Sequence, residues 1–156
     1  MLEEIICLIK MLFETSPRDI KNMNIVVMKY FPLPCFTALS WCGNIIVRDL
    51  NEINKTLMNH ETIHLRQAQI SGSWIKYYMS YLNEWIKGKP FKRPYISAYY
   101  TNPYEMEAYA NEGDKNYTAG YNKTNIDKYY LDDRKTIYIK EGENPSSWKK
   151  YIKTLY

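Results

Sequence analysis

Asn54-Lys-Thr-Leu57-Met-Asn-His60-Glu61-Thr62-Ile63-His64-Leu65-Arg66-Gln67-Ala68-Gln69-Ile70-Ser71-Gly72 is the stretch from which the rest of the chain is read. Asn51 or Asn54 can cap a helix running to about Ile70, and Ser71-Gly72 is a stop signal. The chain has 2 histidines, and they stand four apart. On a helix, residues i and i+4 lie on one face, one turn apart. Two imidazoles so placed reach a single metal ion. The bland alternative is a helix with two satisfied histidines. Apolar Ile53, Leu57, Ile63 and Leu65 around the pair predict a half-buried segment rather than an exposed one.

Glu61 follows the first histidine and is placed to take a proton from water at such an ion. His60-Glu61-Thr62-Ile63-His64 therefore reads as the HExxH zinc-hydrolase pattern, with Zn2+ the expected cofactor and Glu61 the general base. A catalytic zinc needs a third protein ligand. The longer metzincin pattern would place Gly at position 67 and His at position 70, where this chain has Gln67 and Ile70. The third ligand is then a carboxylate or a cysteine. Asn102-Pro103 opens a further helix, expected to run to about Asn116, that carries Glu105, Glu107 and Glu112.

An HExxH helix followed by a helix with a Glu-x-x-x-Asp or Glu-x-x-Ala-Asp signature resembles the gluzincin metallopeptidases, among them thermolysin-like enzymes and membrane-bound CaaX-type peptidases. The chain is also similar to small bacterial gluzincin-like domains. Their core is His-Glu-x-x-His-x-x-Gln, an aromatic helix and a Glu-x-Glu-Ala-Tyr segment. Gln67, the helix from Ser73, and Glu105-Met106-Glu107-Ala108-Tyr109 carry the likeness, which covers residues 30–116.

The resemblance implies that Glu105 is the third metal ligand. Tyr109 stands where the family has an Asp that supports a histidine ligand, and a phenol cannot supply that carboxylate's charge. Glu105, Ala108, Tyr109 and Glu112 share a helix face, and small Ala108 would permit close approach of a neighbour. Glu107, about 200° around the helix, is the rival ligand. Asn102-x-x-Glu105 also reads as a capping-box-like pair. Gluzincins use a Tyr or His to stabilise the oxyanion. With no histidine left, that donor is a tyrosine (Tyr95, Tyr99, Tyr100 or Tyr104), an arginine or a backbone amide. Arg66 is expected to point elsewhere.

The resulting expectation is a single compact α+β zincin-like domain over residues 1–156. A short β-sheet packs against the HExxH helix and a Glu-bearing second helix. Its activity is zinc-dependent hydrolysis of a peptide or protein substrate. The alternative is a zinc-containing domain that binds a peptide or partner with weak or no hydrolysis. Intact Glu61 favours the enzyme; Tyr109 and the short chain favour the alternative.

The remaining features bound this reading. At 156 residues the chain holds one sizeable core. A net charge of +4, from 21 basic and 17 acidic residues that are interleaved, argues against a nucleic-acid partner. The densest basic stretch, Lys87 to Arg93, reads as a solvated loop. Three cysteines, Cys7, Cys35 and Cys42, lack metal-type spacing and suggest a reducing compartment, with a Cys35–Cys42 bridge the less favoured reading. The N-terminus lacks a basic region and a cleavage site, so no signal peptide and a cytoplasmic location are expected. No apolar run is long enough for a membrane span.

Apolar spacing predicts a helix over 2–14 and a strand from Asn24 to Phe31. Phe36–Trp41 and Ile45–Arg48 are expected to form a hairpin. Trp41 to Arg48 is the expected edge for pairing with an extended peptide, against the reading of an ordinary covered hairpin. A helix from Ser73 to Lys87, rich in Trp and Tyr, reads as core packing, with peripheral membrane contact the sharper alternative. Residues 117–135 are expected to be loop with one short turn, 136–140 a short strand, and Pro145 the start of a last helix.

Overall fold

A computed structural model of the chain describes residues 1–34, 36–88 and 95–130. Its contacts divide into two units, Met1–Tyr77 and Tyr78–Tyr156. Among the described residues the architecture is mixed α+β, with one three-stranded sheet and six α-helices.

In the first unit, α1 (Leu2–Glu14) covers the expected helix. Polar contacts hold it in place. Glu4 accepts from the backbone N–H groups of Lys29 and Tyr30 at 2.9 and 3.0 Å. Trp41 Nε1 donates to the Leu8 carbonyl at 2.8 Å. Leu2, Ile9 and Phe13 on its apolar face are exposed.

The sheet comprises β1 (Asn24–Val27), β2 (Ala38–Trp41) and β3 (Asn44–Val47), in the order β1-β3-β2. β3 is antiparallel to β2 and parallel to β1. The hairpin bends at Cys42 and Gly43, both at positive φ (49° and 80°), the conformation of a type I′ turn. A Cβ on Gly43 would lie 2.9 Å from the Ile20 side chain, so the turn has no room for a larger residue. The expectation that Trp41–Arg48 offers a free edge is corrected here. β1 pairs along the second side of β3, which makes β3 the central strand. Ile45, Ile46 and Val47 are accordingly fully buried.

α2 (Lys55–Ser71) begins at Asn54, whose Oδ1 accepts from the Leu57 N–H at 3.0 Å. Asn51 belongs instead to a 3-10 turn, Leu50–Glu52, capped by Asp49. The helix ends at left-handed Gly72, whose N–H reaches the Ala68 and Gln69 carbonyls. α2 packs against β2 and against the 3-10 turn Pro17–Asp19. On this helix Ile63 and Ala68 are completely buried, and His60, Glu61, His64 and Gln67 are buried as well.

α3 (Trp74–Lys87) separates its residues by face. Trp74, Tyr77 and Glu84 are buried, whereas Ile75, Met79, Leu82 and Ile86 form an exposed stripe. No helix among the described residues is long and apolar enough to cross a membrane.

The second unit contains α4 (Tyr95–Tyr100), α5 (Pro103–Asn111) and α6 (Thr124–Asp127). α5 starts as predicted: the Asn102 side chain accepts from the Tyr104 N–H, and Pro103 occupies the first turn. It stops at Asn111, short of Asn116, where turns take over. α4 was not expected, because six residues are too few to display a helical period. α4 and α6 both pack on α5. The core here is aromatic: Tyr100, Met106, Tyr109 and Tyr129, with Tyr99 and Ala110 against it. Tyr100 and Tyr109 have ring centroids 5.3 Å apart. The Cys35–Cys42 bridge, the basic loop to Arg93, the strand at 136–140 and the helix from Pro145 fall wholly or partly outside the described residues.

Candidate metal centre

His60 and His64 come from successive turns of α2, and both are buried. Their Nε2 atoms are 3.1 Å apart, with ring centroids 4.8 Å apart and planes at 76°. The other nitrogen of His64 is accounted for. Its Nδ1 lies 2.8 Å from Gln67 Oε1 and 3.2 Å from the Tyr77 hydroxyl. The Tyr77 hydroxyl also donates to Gln67 Oε1 at 3.2 Å. An amide oxygen only accepts, so His64 Nδ1 carries the hydrogen in this arrangement. His64 Nε2 then holds a lone pair aimed at His60 Nε2.

The His64 lone pair at this distance is met either by a hydrogen on His60 Nε2 or by a metal ion that both nitrogens ligate. The spacing suits a metal. With zinc–nitrogen distances of about 2.0–2.1 Å, a 3.1 Å separation subtends roughly 100° at a shared ion, near the tetrahedral angle. Two neutral imidazoles are also an ordinary donor set for zinc.

Glu61, next to His60, is buried as well, at 5 % exposure. Arg66 points elsewhere, as expected: its Nη1 donates to Gln69 Oε1 at 2.7 Å. Gln69 in turn donates from Nε2 to the Ile20 carbonyl at 2.8 Å, tying α2 to the loop before β1.

In the second unit Glu105 is buried at 4 % exposure, and its Oε1 accepts from the Tyr81 hydroxyl at 2.8 Å. The capping-box reading is not realised, because the Asn102 N–H donates to the Tyr99 carbonyl. Glu107 is completely buried on another side of α5. Each of its carboxylate oxygens accepts a tyrosine hydroxyl, from Tyr117 and from Tyr121, both at 2.8 Å. Asn111 Nδ2 donates to the Glu107 carbonyl and to the Tyr129 hydroxyl, each at 2.7 Å.

The Tyr109 hydroxyl lies 3.2 Å from that of Tyr99. Burial pushes both phenols well above the usual tyrosine range, and the negative charge of Glu105 adds to this. Burial also raises Tyr100. Tyr104 donates to Ser80 Oγ at 2.7 Å. The Tyr95 side chain is outside the described residues.

Sequence reasoning did not assign roles to Gln67 and Tyr77 behind His64, to Tyr81 at Glu105, or to Tyr117 and Tyr121 at Glu107. The i, i+3 spacing of His64 and Gln67 was the one available signal. Comparison of the chain with family models, with curated proteins and with solved structures finds no match.

Proposed function

We propose that His60, His64 and Glu105 hold a divalent metal ion, zinc by preference, in a gluzincin-like metallopeptidase of zincin-like fold. The observation that carries this reading is the convergence of the two Nε2 atoms at 3.1 Å, with His64 turned by Gln67 so that a lone pair faces inward. All three ligand side chains are buried, as a tightly held ion requires. Glu105 is favoured over Glu107 because both oxygens of Glu107 already serve tyrosine hydroxyls.

Bound there, zinc would supply a Lewis acid that activates water and polarises a carbonyl. The chain's own residues do the rest. Glu61 accepts a proton from the attacking water and delivers it to the leaving amine. The Tyr81 hydroxyl holds Glu105 in one orientation, and Gln67 does the same for His64. The substrate is a peptide or protein.

The test is a panel of peptides incubated with zinc-loaded protein, with Glu61→Gln as the blank. Cleavage by the wild type and its loss in Glu61→Gln, with zinc retained in both, is the expected result. Cleavage at an undiminished rate in Glu61→Gln would remove Glu61 as base. Absence of cleavage in both proteins, with zinc still bound, would replace the peptidase by a zinc-containing peptide- or partner-binding domain.

A further inference from the structure

In the family that the chain resembles, an Asp at the place of Tyr109 supports a histidine ligand. Here the Tyr109 hydroxyl meets that of Tyr99, and Gln67 and Tyr77 stand behind His64. We infer that Gln67 is a positioning residue that fixes the tautomer of His64, and that Tyr77 locks the Gln67 amide in the orientation that does so.

The two ends of an amide are not interchangeable. The oxygen only accepts and the nitrogen only donates. With Oε1 toward the ring, His64 Nδ1 must carry hydrogen and Nε2 is left with a lone pair. With the amide turned over, its N–H would face Nδ1. The ring hydrogen would then move to Nε2, which could no longer ligate a metal. Gln67 and His64 alone do not decide between these two states, since each has one good hydrogen bond.

Tyr77 favours the first state: with the amide turned over, the phenol oxygen could still accept, but the phenol hydrogen and the amide N–H would compete for the single lone pair on Nδ1. Its hydroxyl is a second donor within 3.2 Å of Gln67 Oε1, and Oε1 has two lone pairs, one for each donor. Gln67 is 3 % exposed and Tyr77 4 % exposed, so water does not compete for these positions. A carboxylate behind a ligating imidazole does the same job with a full negative charge. Here a neutral amide and a phenol do it, and the orientation of the amide becomes the controlling variable.

The tautomer part of this inference is independent of the metal reading, and the affinity part rests on it. The first experiment is nitrogen-correlated NMR of the histidine rings in metal-free wild-type protein. His64 is expected as the Nδ1–H form. The Nε2–H form in the wild type would overturn the inference, whether or not the protein binds zinc.

The second experiment measures zinc affinity by chelator competition in single and double variants. Gln67→Leu is expected to raise Kd by about 10- to 100-fold. Gln67→Glu cannot be turned over and is expected to bind at least as tightly as the wild type. Tyr77→Phe should raise Kd by about 3- to 10-fold in the Gln67 background and have no effect in the Gln67→Glu background. A merely packing role for Tyr77 predicts the same loss in both backgrounds, and that result would overturn its part as the lock. Weaker binding in Gln67→Glu than in Gln67→Leu would overturn the role of Gln67.

Discussion

Two buried polar groups in this chain are built from different side chains and to different ends. On α2, His60 and His64 face each other through Nε2 at 3.1 Å, with a lone pair of His64 aimed at His60. On α5, Glu107 sits against Tyr117 and Tyr121, and each carboxylate oxygen receives a hydroxyl. Burial alone does not tell a site from a staple. What tells them apart is whether the chain's own donors and acceptors close on one another. The Glu107 cluster does: it ties the turns after α5 back onto that helix. The histidine pair can close in two ways, by a hydrogen on His60 Nε2 or by an ion that both nitrogens ligate.

Paired substitutions at Glu105 and Glu107 sharpen this contrast most. Glu105→Ala is expected to weaken zinc binding by more than the roughly 100-fold limit for residues that act behind a ligand. Glu107→Ala is expected to leave zinc Kd within about 3-fold of the wild type while lowering stability by about 2–4 kcal/mol. The reason is that two buried hydroxyls lose their shared acceptor. Metal titration and denaturant unfolding of the same two proteins read both quantities. A crossed result, with Glu107→Ala losing zinc and Glu105→Ala keeping it, would exchange the assignments of site and staple.

A gentler cut is Tyr121→Phe, which removes one hydroxyl and keeps the ring. Loss of a hydrogen bond to a charged group predicts a destabilisation of about 1.5–3 kcal/mol with no change in zinc affinity. Burial, and then the charge of Glu107, push the Tyr117 and Tyr121 phenols well above their ordinary value of 10.0. The folded state therefore keeps these protons at a pH where the unfolded chain has lost them. Stability should fall as pH rises above about 10, because the unfolded state then binds fewer protons than the folded one. Tyrosinate absorbance followed alongside far-ultraviolet circular dichroism checks this. Ionisation of these phenols before unfolding would contradict the buried cluster.

The legible parts of the molecule are those whose logic is local in sequence. The i, i+4 histidines, the Asn54 and Asn102 caps and the Gly72 stop each depend on a few consecutive residues, and each is found where the spacing placed it. The sheet order was not legible. Whether β3 lies at an edge depends on β1, which joins it across an intervening strand and turn. The tyrosines were not legible either. With 16 of them, no single one stands out until a partner from another element identifies it, as Glu105 identifies Tyr81 and Glu107 identifies Tyr121. Gln67 lies between these cases: its spacing from His64 was local, but its role depends on Tyr77 from the next helix.

The central claim is that the histidine pair on α2 is a metal site. Elemental mass spectrometry of the purified protein, beside His64→Ala, tests it most directly. The account predicts about one zinc per wild-type chain and none in the variant, consistent with a site whose three protein ligands are each required. A wild-type protein that takes up no metal when zinc is supplied at neutral pH would contradict it. The 3.1 Å contact between His60 and His64 would then be an imidazole–imidazole hydrogen bond inside an ordinary helix core.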